Sequence, residues 1–134
     1  GLTLYTCNER TRSVPTDPFG LTEQIGGFFL PDEFRHEQYL LMEEGGRRVL
    51  LSGCSHKGIL NILHWFRPDV LVGGFHFKQL QPDSDRLRAY GEALAAYDTV
   101  FYTGHCTGQD QYAVLKTILG EQLNAISTGT VLEI

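Results

Sequence analysis

No stretch of this 134-residue chain stays apolar for the roughly 20 residues that a membrane-spanning helix needs. Basic runs are missing as well. Arg47-Arg48 and the pair Arg10 and Arg12 stand alone, and a net charge of −5 leaves no electrostatic footprint for nucleic acid. Gly1-Leu-Thr-Leu has neither the basic region nor the long apolar core of a signal peptide. Three cysteines are too few and too odd in number for a disulfide framework. Two of them stand beside histidines, which reads as free thiols or metal ligands in a reducing, cytoplasmic setting. No low-complexity tract or long linker divides the chain, so residues 1–134 read as one domain.

Hydrophobic residues make up 42% of the sequence and charged ones 20%, the balance of a globular protein rather than a disordered one. The most informative stretch is Arg48-Val-Leu-Leu-Ser-Gly-Cys54-Ser-His56-Lys-Gly58. Its apolar run predicts a strand buried on both faces that ends at Gly53 and delivers Cys54 and His56 to its carboxyl end. Open α/β sheets bind ligands at that end. Asn61-Ile-Leu-His-Trp-Phe66 then reads as a helix. The same grammar recurs in Asp69-Val-Leu-Val-Gly-Gly-Phe-His76 and in Thr99-Val-Phe-Tyr-Thr-Gly-His105-Cys106-Thr-Gly108, the latter followed by a helix over residues 109–119. Pro82-Asp-Ser84 opens another helix through Leu87, Tyr90 and Leu94.

Upstream, Gln38-Tyr-Leu-Leu-Met42 and Arg48-Val-Leu-Leu-Ser52 flank a glycine turn and predict a β-hairpin. Leu2-Thr-Leu-Tyr-Thr-Cys7 alternates like a strand. Residues 8–22 read as a polar surface loop and the one candidate for a mobile flap. Ile25-Gly-Gly-Phe-Phe-Leu30 suggests a short strand whose glycine pair could equally be a hinge. A hairpin followed by alternating strands and helices means α/β with a mixed sheet.

Imidazole and thiolate suit zinc, while imidazole with carboxylate or water also suits iron or manganese. Cys54, His56 and His105 form the expected ligand set, with His76 next in line. The competing chemistry is a thiol nucleophile, Cys54 or Cys106, activated by His56 or His105. Adjacent residues on a strand face opposite ways, so His105 and Cys106 cooperate only if the turn bends them together. Ser55, Phe75, His76, Lys78 and Thr107 are the expected pocket residues. Lys57 and Lys78 read as solvated lysines or as contacts for an anionic group. His36 and His64 read as surface residues, and Cys7 as a small buried hydrophobe.

Leu51-Ser-Gly-Cys-Ser-His-Lys-Gly-Ile59, Val72-Gly-Gly-Phe-His76 and Gly104-His-Cys-Thr-Gly108, in that order, resemble the carboxyl-terminal half of metallo-β-lactamase-fold hydrolases. More narrowly they resemble the subgroup of dihydropterin ribofuranosyl-aminobenzene phosphate synthases, which Glu37-Gln38 also fits. The resemblance implies an αββα sandwich with one or two metal ions. It puts Cys54 where many members have a bridging aspartate and makes His105 the last metal-binding histidine. It also implies a small-molecule substrate, phosphorylated or not, attacked by metal-bound hydroxide.

The family's His-x-His-x-Asp-His signature is absent from the sequence. The chain is therefore expected to be one half of a longer protein, inactive alone, pairing either with an amino-terminal half or with itself. Two alternatives from other classes are a non-catalytic interaction domain that dimerises through the half-fold and a thiol-dependent enzyme using Cys54.

Overall fold

The computed structural model describes residues 1–133. Its strands are β1 (Leu2–Tyr5), β2 (Thr22–Ile25), β3 (Phe28–Pro31), β4 (Tyr39–Glu44), β5 (Arg47–Ser52), β6 (Val70–Val72), β7 (Val100–Thr103) and β8 (Leu123–Ala125). Three α-helices, α1 (Ile59–Phe66), α2 (Asp85–Ala95) and α3 (Gln109–Leu119), connect the strands from β5 onward. Six strands form one sheet in the order β1-β4-β5-β6-β7-β8. The first three pair antiparallel and the rest parallel, so the sheet is mixed. Each step from β5 to β8 moves one place in the same direction, and the right-handed rule for such crossovers puts α1, α2 and α3 on one face.

Strand periodicity explains which face they cover. Leu41, Leu50, Leu71, Phe101 and Leu123 are register partners across five strands and form one buried row. The helices close over it with Ile59, Ile62, Leu63 and Phe66 of α1, Leu87 and Leu94 of α2, and Leu115 and Leu119 of α3. Ser84 caps α2, its hydroxyl taking the Leu87 N–H at 3.2 Å. The adjoining row, Leu40, Leu51, Val72 and Tyr102, points to the opposite face. There Leu51, Leu2 and Leu4 are exposed.

The expected hairpin is β4–β5, turned by Gly45 and Gly46 at positive φ. The expected single strand at residues 25–30 is instead a second hairpin, β2–β3. Gly26 and Gly27 form its two-residue turn with φ of 57° and 86°, because left-handed φ at both central residues matches the twist of the flanking strands. This small sheet stands apart from the large one and exposes Ile25, Phe28 and Phe29.

Residues 8–21 run without strand or helix but are anchored on α1. The Asn61 side chain bonds both the N–H and the carbonyl of Val14, and the Trp65 indole donates to Thr11. Residues 131–133 carry no regular structure, and Ile134 lies outside the described residues.

Candidate metal centre and adjoining histidine pocket

Three strand ends meet here because β5, β6 and β7 are parallel neighbours. Gly74 donates its N–H to Gly53 at 2.8 Å and Gly73 to Tyr102 at 2.9 Å, so the ladder continues past the strands into the turns. A Cβ on Gly73 would sit 2.3 Å from the Ser52 carbonyl oxygen, and one on Gly74 would sit 2.4 Å from Cys106 Sγ. The glycines are what allow the turns to approach so closely. Ser55, His76 and His105 each adopt positive φ, at 60°, 57° and 53°. Such strain in non-glycine residues gathers at sites that the surrounding fold over-determines.

The first cluster is Cys54, His105 and Cys106, whose ligand atoms all lie within 4.8 Å of one another. Cys54 Sγ is 3.6 Å from His105 Nδ1. Ligand atoms sharing one tetrahedral zinc stand about 3.3–3.8 Å apart, from Zn–N and Zn–S bonds of about 2.0 and 2.3 Å. That pair is thus already at the required separation. The two sulfurs and one imidazole suit zinc or iron, and three protein ligands leave one position open.

A short 3₁₀ turn, His105–Thr107, bends the chain so that adjacent His105 and Cys106 converge, which an extended strand would forbid. Cys106 Sγ accepts the His76 N–H at 3.3 Å. Burial, with Cys54 beside it, pushes the Cys106 thiol up to about 12. Without a cation it is a protonated, poor nucleophile; a bound metal displaces that proton. Cys54 and His105 open onto a cleft of about 770 Å³ walled by glycines of the three turns and by residues 126–128.

His56, expected as a ligand, lies outside this cluster and belongs to a second one. Its Nδ1 donates to Glu37 Oε1 at 3.1 Å, and its backbone N–H donates to the same oxygen at 2.6 Å. Glu37 Oε2 takes the Lys57 N–H at 3.0 Å and the Tyr39 hydroxyl. A carboxylate only accepts, so the proton is fixed on Nδ1 and the His56 Nε2 lone pair is left free. Burial, with the Glu37 carboxylate second, holds the Tyr39 phenol protonated far above its ordinary range.

His56 stacks on Phe34 at 4.4 Å and meets the His76 ring edge-on at 4.4 Å, while Phe19 meets His76 at 5.4 Å. His76 Nε2 is buried with no protein partner. Burial, then the neighbouring His56, lowers its pKa below the usual 6.5. Both rings line a cavity of about 30 Å³, space for about one water molecule.

The remaining expected residues divide. Ser55 and Phe75 line that small cavity. Thr107 is buried and fixes the backbone by taking the Phe75 N–H at 3.0 Å. Lys78 is exposed and lines neither space, and His36 and His64 are exposed.

Lys57 corrects the sequence reading. It is fully buried, with Nζ donating to the Thr6 carbonyl and to Asn8 Oδ1. The position beside the site histidine turns it inward, where two acceptors and the Glu37 carboxylate compensate its charge. Glu37 is the site residue that composition and spacing missed; only its place in the Glu37-Gln38 resemblance hinted at it.

The mixed sheet under one layer of helices has the fold of one half of a metallo-β-lactamase αββα sandwich. Among solved structures, the chain is similar to Tm1679, a metal-dependent hydrolase of the β-lactamase superfamily, with a TM-score of 0.76 and 24% identity. The likeness covers 99% of this chain and 53% of Tm1679, so the chain spans about half the length of that neighbour. No protein-family profile matches the sequence. No curated protein matches it either. Among the described residues, no helix is long and apolar enough to cross a membrane.

Proposed function

We propose that this chain is the carboxyl-terminal half of a metal-dependent hydrolase or synthase, of the subgroup resembling dihydropterin ribofuranosyl-aminobenzene phosphate synthase, acting on a small substrate that carries an ester or phosphate. The observation that carries this reading is the convergence of Cys54, His105 and Cys106 within 4.8 Å at the ends of neighbouring parallel strands. A divalent cation, zinc first and iron or manganese next, supplies Lewis acidity and a more acidic water when bound.

The chain's own residues do the rest. Cys54, His105 and Cys106 hold the ion, and the glycine-walled cleft admits substrate without side-chain obstruction. Glu37 locks the His56 tautomer so that Nε2 is presented as an acceptor or ligand. His76, kept neutral by burial, offers a second imidazole beside it. The exposed sheet face around Leu2, Leu4 and Leu51 packs on the other half of the sandwich, or on a second copy when that half is absent.

Elemental analysis and zinc titration of the 134-residue chain test this, with Cys54→Ser/His105→Ala alongside. About one equivalent of zinc, lost in the variant while its circular dichroism is unchanged, is expected. A folded wild-type chain that takes up no zinc, iron or manganese would overturn it.

A further inference from the structure

Two of the three ligands in the cluster are thiols, and their sulfurs lie within 4.8 Å of each other. Cys106 Sγ also approaches the Cys54 carbonyl oxygen at 3.7 Å, so the backbone of one cysteine already adjoins the side chain of the other. The third cysteine, Cys7, belongs to neither cluster and follows β1. Cys54 borders the 770 Å³ cleft, whereas Cys106 is not among the residues lining it. The two thiols therefore stand one behind the other, the front one open to small solutes.

We propose that Cys54 and Cys106 are a redox pair that closes to a disulfide when the metal is absent, with a hydroperoxide as oxidant. Cys54 sulfur attacks the O–O bond of hydrogen peroxide. An S–O bond forms, the O–O bond breaks, and the departing oxygen leaves as water with the thiol proton. Cys54 is then a sulfenic acid. Cys106 sulfur attacks Cys54 sulfur, the S–S bond replaces the S–O bond, and the hydroxyl leaves as a second water with the Cys106 proton. Two thiols are oxidised and one peroxide is reduced.

Cys106 stands behind Cys54 and meets its sulfenic acid from within the fold rather than from the cleft. An S–S bond of about 2.05 Å requires the sulfurs to close by less than 3 Å or so. Both turns contain glycine, at Gly53 and Gly104, and can accommodate it.

The disulfide consumes two of the three metal ligands. Cation and disulfide thus exclude each other, and the oxidised chain does not take up the metal. This consequence rests on the proposed metal site; the pairing of the sulfurs does not.

The test treats chelator-stripped wild-type chain with one equivalent of hydrogen peroxide, alkylates free thiols and maps peptides by mass spectrometry. The expected product links Cys54 to Cys106, leaves Cys7 alkylated and reverts with dithiothreitol. In Cys106→Ser, dimedone traps a sulfenic acid on Cys54. Alkylation of both cysteines, sulfinic acid at Cys54 beside a free Cys106, or a bond from either to Cys7 would overturn the pairing.

Zinc titration of the oxidised form then reads the consequence: uptake is lost and returns on reduction, and undiminished uptake would sink the exclusion. A chain that forms the linked peptide but never binds zinc in its reduced form would defeat the metal reading alone.

Discussion

Single residues decide which imidazole does what. His56 has a carboxylate partner and a fixed tautomer, whereas His76 has a bare Nε2 and a depressed pKa. The depressed value has a thermodynamic sign. Between the folded-state pKa and the ordinary 6.5, the unfolded chain binds more protons than the native one, so stability rises with pH across that window. His76 therefore contributes its full stabilisation above about pH 6.5, and the contribution is lost as pH falls through the depressed value. Urea midpoints of wild type and His76→Phe, measured between about pH 7.5 and 5, should converge toward the acid end as the wild type loses more. Parallel curves would refute the assignment.

At this scale the sequence was least legible. That Cys54 and His105 share a strand-end site follows from glycine-ended apolar runs. That Cys106 joins them depends on a 3₁₀ turn, and that His56 leaves them depends on Glu37, 19 positions away. Neither has a signature in local spacing.

Elements were read more successfully because each has a local cause. Continuous apolar runs mark β5, β6 and β7, but the expected burial on both faces fails at β5, where only the helix-covered face is closed and Leu51 on the other is exposed. Leu87, Tyr90 and Leu94 mark α2, and Ser84 marks its start. The miss is instructive: Gly-Gly occurs twice at a two-residue turn. At residues 45–46 its flanks are apolar and cross-paired, so the hairpin is evident. At residues 26–27 one flank is Thr22-Glu-Gln-Ile25, too polar to announce a strand, and the hairpin was hidden.

The glycines of the β6 turn act differently, by being small rather than flexible. Gly73→Ala places a methyl group 2.3 Å from the Ser52 carbonyl oxygen, a backbone atom that cannot step aside without parting β5 from β6. The expected cost is about 1–3 kcal/mol, read as a lower urea midpoint together with weaker zinc uptake. A midpoint equal to wild type would mean that the turns are looser than their hydrogen bonds indicate.

For the whole molecule, one face of the sheet is sealed by three helices and the other carries Leu2, Leu4 and Leu51 in the open. A sheet with one apolar face uncovered seeks a second layer. The isolated chain is accordingly expected to sediment above its monomer mass of 15.1 kDa, and Leu51→Glu should return it toward that mass. Monomeric behaviour of both proteins would exclude this face as a self-association surface.

Tyr5, the last residue of β1, is the register partner of Tyr39, the first of β4. Everything between them, the anchored loop and the β2–β3 hairpin, leaves the sheet and returns to the adjoining lane. That excursion brings Phe19 to His76 and Phe34 to His56 while contributing no strand to the main sheet. It behaves as a cassette whose two ends are already stapled together, so a replacement of different length would cost little closure entropy. Natural or engineered variation there could re-dress the histidine pocket and leave the sulfur cluster untouched. Three groups outside it would need replacement partners: the Lys57 ammonium in place of Thr6 and Asn8, the buried Asn61 side chain in place of Val14, and His56 in place of Glu37.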